Sequence, residues 1–137
     1  MASNYKGANL SYQDIRVGEV YSFARKISRK DIMNFAKLSG DFNRLHIKDN
    51  VVHGMLSGSL FSTLVGMYCP GERSLYVSQT LNFRKILCGG DSVIVRGTVV
   101  GKVDSVRIVI LKTEILNLKD SKIMVDGEAK IKVLEHE

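Results

Sequence analysis

A segment without a charged side chain, Val51 to Gly71, restricts the possible folds of this chain more than any other feature. Serine and glycine recur along it and Pro70-Gly71 ends it, so the segment is not apolar enough for a membrane span. A helix that is apolar on every side and lies outside a membrane must be buried by protein. The sequence therefore predicts a central helix over residues 53–68.

The rest of the chain is typical of β-structure. A short extended segment covers Val20–Ala24, and within a later segment Val93, Val95, Gly97 and Val99 share one parity. The predicted long strands are Leu75–Phe83, Asp91–Val103, Ser105–Leu118 and Ser121–Leu134. Antiparallel strands after a buried helix predict an α+β fold in which a sheet wraps around the helix. Full coverage of the helix favours the pairing of two such sheets in a dimer.

A shorter helix precedes the central one. Ser28-Arg29-Lys30-Asp31 resembles a capping box, and Gly40 is a candidate C-terminal stop, so Asp41 opens the loop that leaves this helix. A length of 137 residues suffices for one hydrophobic core. We therefore expect a single domain over residues 1–137.

Charge, cysteine content and the N-terminal residues limit the partners and the cellular compartment expected for this protein. The net charge is +6, but lysine and arginine occur in ones and twos, which argues against a dedicated nucleic-acid module. Cys69 and Cys88 lie outside any metal-ligand spacing, and residues 1–6 contain no apolar signal core. These features predict an intracellular protein of a reducing compartment, cytoplasmic or in a mitochondrial or peroxisomal matrix, with no membrane partner.

Asp41 and His46 are the first candidates for chemistry. Each alone is more often structural, but with Asn43 they form a polar, ionisable cluster beside an apolar helix, as acid–base catalysis requires. Gly54 lies in the first turn of the central helix, where free N–H groups could stabilise an oxyanion or where glycine could simply allow close packing. Ser62, two turns later, could hold Asp41 or be a hydroxyl without a function.

Other active centres have weaker support. His46, His53 and Asp49 show no paired ligand spacing, so no metal site is expected. The chain also lacks a Gly-x-Ser-x-Gly elbow, which argues against a serine hydrolase.

Two stretches carry a family resemblance, Leu38-Ser39-Gly40-Asp41-Phe42-Asn43-Arg44-Leu45-His46 and Val52-His53-Gly54-Met55-Leu56. The first resembles the hydratase-2 motif of the MaoC-like (R)-specific enoyl-CoA hydratases and dehydratases, and further matches in the family's order cover most of the chain. The resemblance implies a hot-dog fold, with an antiparallel sheet around a long central helix, assembled as a homodimer or a dimer of dimers. It also implies reversible hydration of trans-2-enoyl thioesters of CoA or acyl-carrier protein to (R)-3-hydroxyacyl thioesters, without a metal or redox cofactor.

The resemblance also implies residue roles. Asp41 and His46 would be the catalytic pair, the Gly54 N–H would bind the thioester oxygen, Ser62 would support Asp41, and Asn43 would brace the loop. Arg84 and Lys85 are candidates for contact with the CoA phosphates or an acidic carrier surface, or else a solvated strand end.

The chain departs from the family pattern in three places. Arg44 replaces a customary proline, residues 84–87 lack another, and only six residues separate His46 from His53, fewer than the family usually has. Six extended residues span on the order of 20 Å, so the loop can still reach the helix. The short link motivates an alternative, a hot-dog domain that binds acyl thioesters or a partner without turnover. A thioesterase on the same fold is a third hypothesis.

Overall fold

The computed structural model describes residues 5–135. Residues 1–4, part of the segment in which the sequence shows no signal core, lie outside this range. The helical elements are a 3₁₀ turn Tyr12–Asp14, α1 Arg29–Ser39, α2 Arg44–Ile47 and α3 Gly54–Thr63, which continues as a π-helical turn Leu64–Tyr68. The strands are β1 Val20–Lys26, β2 Ser74–Gln79, β3 Asn82–Phe83, β4 Ser92–Val103, β5 Ile108–Asn117 and β6 Ile123–Val133.

All strand pairs are antiparallel, in the order β1-β4-β5-β6-β2, and β3 also pairs with β6. The buried side of the sheet packs on α3 and its π-helical turn, whose Leu60, Phe61, Leu64 and Val65 are all buried. This confirms the α+β prediction of a sheet around a central helix, the hot-dog arrangement. Within residues 5–135, no helix is both long enough and apolar enough to cross a membrane.

The parity predicted for β4 is confirmed. Val93, Val95 and Val99 are buried, and their neighbours along the strand are more exposed. Gly97 falls on the same inner face, where an added Cβ would lie 2.8 Å from Leu64 Cδ2. Glycine at this position therefore allows the helix to approach the sheet closely.

Two predicted elements are interrupted. The expected strand Leu75–Phe83 is split into β2 and β3, and at the interruption the Thr80 carbonyl lies in the space that a Cβ on Gly127 would need. The expected helix over residues 53–68 is α-helical only to Thr63, after which Cys69 N–H donates to Leu64 O at 3.0 Å in the wider π-type pattern.

The start and stop of α1 are confirmed. Ser28 Oγ accepts from Asp31 N–H at 3.1 Å, and Ser28 N–H donates to Asp31 Oδ2 at 2.9 Å. Gly40 ends the helix at φ 81°, a left-handed conformation that glycine adopts without strain. This reversal delivers Asp41 to the beginning of α3.

Candidate active site

The Asp41 loop is held at three backbone or side-chain groups. Asp41 N–H donates to Ser39 Oγ at 3.2 Å, and Asp41 Oδ1 accepts from Asn43 N–H at 3.1 Å. The Asp41 carbonyl lies 3.0 Å from His53 Nε2. These contacts fix the residue while 48% of its side chain stays exposed. The carboxylate is therefore both positioned and accessible.

Asn43 connects this loop to α2. Its Oδ1 accepts from Leu45 N–H at 3.0 Å, an N-cap that satisfies a free donor of the short helix. Arg44 occupies the first helical position, where proline is tolerated because that N–H has no intrahelical acceptor. Replacement of the customary proline by Arg44 therefore removes a constraint on the φ angle but does not remove a hydrogen bond.

His46 faces Asp41 with a defined ring nitrogen. Its Nδ1 lies 2.8 Å from Val51 O, and because a carbonyl can only accept, we assign the proton to Nδ1. Nε2 of the neutral ring then presents a lone pair, 3.7 Å from Asp41 Oδ2. This separation is too long for a direct hydrogen bond. Two acceptors so placed suit a small molecule that donates a proton to each.

The short link between His46 and His53 spans the distance from α2 to the start of α3 without disrupting the site. Asn50 turns the chain at φ 60°, and Val51 forms an isolated antiparallel bridge with Cys88. Val52 N–H donates to Leu87 O at 2.8 Å. On the other side, the Arg29 guanidinium donates to His46 O at 2.6 Å. The link is therefore anchored to the segment before β4 and to the start of α1.

His53 lies in the site, although the sequence suggests it only as the residue before Gly54 and as a metal ligand without the paired spacing such a site needs. It is 1% exposed, its ring stacks on that of His46 with centroids 3.8 Å apart, and Phe35 contacts it edge-on at 4.8 Å. Ligand atoms of Asp41, His46 and His53 lie within 4.8 Å of one another, and Asp49 is not in this cluster. Because His46 Nδ1 and His53 Nε2 each face a backbone carbonyl, each of the two stacked rings keeps one free ring nitrogen.

A cavity of about 340 Å³ opens beside His46. Gly54, at the start of α3, lies in its wall, so the free N–H groups of the first turn are near His46. A Cβ on Gly54 would lie 3.0 Å from the ring of Phe83, so this glycine also allows close packing. The remaining wall is mostly apolar and includes Leu45, Val51, Val52, Leu87 and Val125.

Arg84 and Lys85 line the same cavity. Arg84 Nε pairs with Asp126 Oδ2 at 3.2 Å, so part of its charge is already compensated. Lys85 forms no ion pair with any residue of the described range 5–135. Of these two cations, Lys85 is thus the one without a counter-ion in that range.

Ser62 is not brought to Asp41. It is exposed and lines a different cavity with Phe35, Met55 and Tyr76, and its Oγ forms no hydrogen bond to Asp41. Eight residues turn a helix by about 80° beyond two full turns, enough to direct Ser62 away from Gly54's face. The helix serine beside the candidate site is Ser57, buried, with its Oγ donating to Gly54 O at 2.6 Å.

Comparison with known proteins agrees with this geometry. Residues 13–119 match the family described as MaoC like domain. The chain is 34% identical to an (R)-specific enoyl-CoA hydratase of Rhodospirillum rubrum, covering 89% of this chain and 90% of that protein. It is 33% identical to the (R)-specific enoyl-CoA hydratase of Aeromonas caviae, covering 90% and 99%. The unliganded R-hydratase PhaJ1 from Pseudomonas aeruginosa matches with a TM-score of 0.87 at 32% identity, covering 93% and 88%. The chain therefore belongs to the MaoC-like domain family.

Proposed function

We propose that this protein catalyses the reversible hydration of trans-2-enoyl thioesters to (R)-3-hydroxyacyl thioesters. The observation that carries the proposal is the pair of acceptors, His46 Nε2 and Asp41 Oδ2, held 3.7 Å apart at the beginning of α3. The similarity to (R)-specific enoyl-CoA hydratases supports the same reaction.

The site geometry supports a defined course for hydration. A water molecule donates one hydrogen to His46 Nε2 and the other to Asp41 Oδ2, which leaves an oxygen lone pair free to attack the β-carbon. A carbon–oxygen bond forms, the carbon–carbon double bond shifts toward the thioester, and one water proton passes to the pair. The α-carbon then receives a proton from this pair. No further reactant is consumed.

The N-terminus of α3 supplies the electrostatic part of the reaction. Negative charge develops on the thioester oxygen as water adds, and the N–H of Gly54 stabilises it from a helix end with a positive partial charge. Asn43 braces the loop that carries Asp41. Ser62 has no role in this proposal, because it lies at another cavity.

The substrate is carried as a CoA or acyl-carrier-protein thioester, and no separate cofactor takes part. Lys85, and to a lesser degree Arg84, would face the CoA phosphates or an acidic carrier surface at the cavity. Added salt screens exposed charges, so KM for an enoyl-CoA should rise with ionic strength more than KM for a truncated thioester without phosphates.

The proposal includes a homodimer. β2 ends the sheet, and it exposes Leu75, Tyr76 and Val77. Unpaired backbone groups and apolar side chains on an edge strand suit pairing with a second copy. Neither nucleic acid nor a membrane is a partner in this proposal.

Hydration of crotonyl-CoA, followed as loss of the enoyl absorbance, tests the function. We expect activity in the wild type and a fall of about 100-fold or more in Asp41→Asn and in His46→Ala, because each removes one of the proton acceptors. Chiral analysis of the product should give the (R) isomer. Asp49→Asn is the matched control, since it changes a nearby carboxylate outside the cluster.

Two results would contradict the proposal. Activity that survives both substitutions would remove Asp41 and His46 from the chemistry. A wild type that binds enoyl-CoA without hydrating it would favour the binding domain that the short link suggests.

A further inference from the structure

We propose that His53 is a positioning residue, which holds the Asp41 backbone through its ring N–H and the His46 ring through stacking. The inference rests on the proposed function and adds a residue that directly touches neither water nor thioester. It extends the proposed site by naming the residue that holds the two proton acceptors, Asp41 and His46, at a fixed position relative to the start of α3.

The hydrogen bonding of His53 determines which of its two ring nitrogens carries the hydrogen. Nε2 lies 3.0 Å from the Asp41 carbonyl, which can only accept, so Nε2 carries the hydrogen. Nδ1 is buried and has no hydrogen-bond partner in the described part of the chain. A second proton on Nδ1 would therefore lack an acceptor, since His53 itself is only 1% exposed. The single N–H of a neutral ring is committed to the Asp41 carbonyl.

This hydrogen bond links the two halves of the site. His53 is the N-cap residue of α3 and immediately precedes Gly54. The same residue therefore joins the loop that carries the carboxylate to the helix end that would bind the thioester oxygen. Ser39 and Asn43 also hold Asp41, but both belong to its own segment and cannot fix its distance to α3.

Stacking adds a second constraint. The His46 and His53 rings are 22° from parallel with centroids 3.8 Å apart. The bond from His46 Nδ1 to Val51 O acts in the ring plane, whereas the stack acts on the ring face. Together they fix the direction of the Nε2 lone pair toward Asp41. Phe35, edge-on to His53, backs the stack from α1.

Three variants separate the two contacts. His53→Phe keeps an aromatic ring and loses the N–H, His53→Gln keeps an N–H at similar reach and loses the ring, and His53→Leu loses both. For crotonyl-CoA hydration we expect kcat to fall about 10- to 100-fold in His53→Leu, because small misplacements of reacting groups are costly. KM should stay within about twofold, and the Phe and Gln variants should fall between Leu and wild type.

Leu60→Ala is the control for a simple loss of core packing. Leu60 is a buried residue of α3 that does not line the His46 cavity and is not part of the loop that carries Asp41. We expect it to lower the melting temperature and to leave kcat near the wild-type value. A fall in kcat equal to that of His53→Leu would overturn the proposal.

Nitrogen-15 NMR of the histidine side chains without substrate gives a readout independent of activity. In the wild type, His53 should carry its proton on Nε2 and His46 on Nδ1. In His53→Gln and His53→Leu, which lose the stacked ring, His46 should show mixed tautomers, whereas His53→Phe should keep the proton on Nδ1. A wild-type His53 protonated on Nδ1, or His46 signals and kcat unchanged in all three variants, would overturn the proposal.

The design separates this inference from the function itself. If the wild type does not hydrate crotonyl-CoA, the proposed function fails, and the NMR comparison still decides whether His53 orders His46. A rise in KM with unchanged kcat would place His53 in substrate binding and would also overturn the positioning role.

Discussion

Gly54 lies where α3 begins and where the ring of Phe83 packs on the helix backbone. Two explanations of this glycine follow from its place in the sequence, close packing and an N–H that binds an oxyanion. The structure shows the packing contact, and the position of Gly54 in the wall of the His46 cavity supports the second explanation. One residue can serve both, because the Cα hydrogen that takes the place of a Cβ beside Phe83 and the backbone N–H leave the backbone in different directions.

Substitution of Gly54 by alanine should separate these roles. An added Cβ would lie 3.0 Å from the Phe83 ring, so the ring must move, and we expect a stability loss of about 1–3 kcal/mol. We also expect kcat/KM for crotonyl-CoA to fall at least about tenfold, as a displaced donor stabilises the enolate less well. Thermal melts and initial rates measure the two effects.

Gly58→Ala is the matched control for this variant. It lies on the same helix, and its added Cβ would lie 2.9 Å from a Leu81 methyl, outside the His46 cavity. It should lose comparable stability and retain its activity. An equal loss of activity in both variants would assign Gly54 to packing alone.

The candidate site is only partly accessible to sequence reasoning. Asp41, His46 and Gly54 can be found because their residue types and spacing carry the pattern. The two carbonyls that orient the rings, Val51 O and Asp41 O, have no sequence signature, since every residue has a carbonyl. For that reason the sequence does not reveal His53 as a site residue. Ser62, which the resemblance assigns to Asp41, lines another cavity in the structure, because eight residues are not a whole number of helical turns.

At the level of elements, the sequence predicts correctly those features that depend on residues within or beside the element. It does not predict features that involve residues far along the chain. The start and end of α1 depend on Ser28, Asp31 and Gly40, which lie within or beside the helix. The break between β2 and β3 lies beside Gly127, far along the chain, whose missing side chain leaves room for the Thr80 carbonyl. A pattern of alternating residues within one strand carries no signal of such a contact with another strand.

The α1 cap provides a prediction about pH. The Ser28 backbone N–H, its hydroxyl and Arg25 hold the pKa of Asp31 below its usual range, against an opposing effect of burial. A lowered folded-state pKa contributes stability above the unfolded value, and this is lost as the pH falls through the folded value. We expect Asp31→Asn to cost about 0.5–2 kcal/mol at neutral pH.

Urea denaturation at a series of pH values tests this expectation. The difference in unfolding free energy between wild type and Asp31→Asn should narrow as the pH falls below about 4. Asp49→Asn, on the exposed link, should match the wild type throughout the series. A constant difference at all pH values would exclude the carboxylate charge as the cause.

At the scale of the whole molecule, the strand order decides which surface is free for assembly. β1 and β2 end the sheet, and β2 combines an edge with three exposed apolar side chains. The prediction of a dimer rests on the need to cover a buried helix, a general argument that cannot identify the edge. That residues 1–137 form one domain stays a prediction.

A charge on β2 should weaken the proposed dimer. We expect the wild type to sediment at twice the 15.3 kDa chain mass and Val77→Lys to shift toward the monomer, because a lysine blocks edge pairing. Val106→Lys is the matched control, since Val106 is also exposed but lies in the turn between β4 and β5. A wild type that sediments at 15.3 kDa would contradict the proposal.

The anchoring of the short link has a consequence for how such sites diversify. His46 is tied to Val51 and to Arg29, Val52 is tied to Leu87, and the Asn50 side chain donates to Gly89 O at 3.0 Å, so of residues 48–50 only Lys48 and Asp49 have side chains outside these hydrogen bonds. An insertion beside Lys48 and Asp49 that keeps these hydrogen bonds would leave the proton acceptors in place. The length of this exposed turn is then separate from the chemistry, and an insertion would add residues next to Val51, which lines the cavity, around a retained reaction centre.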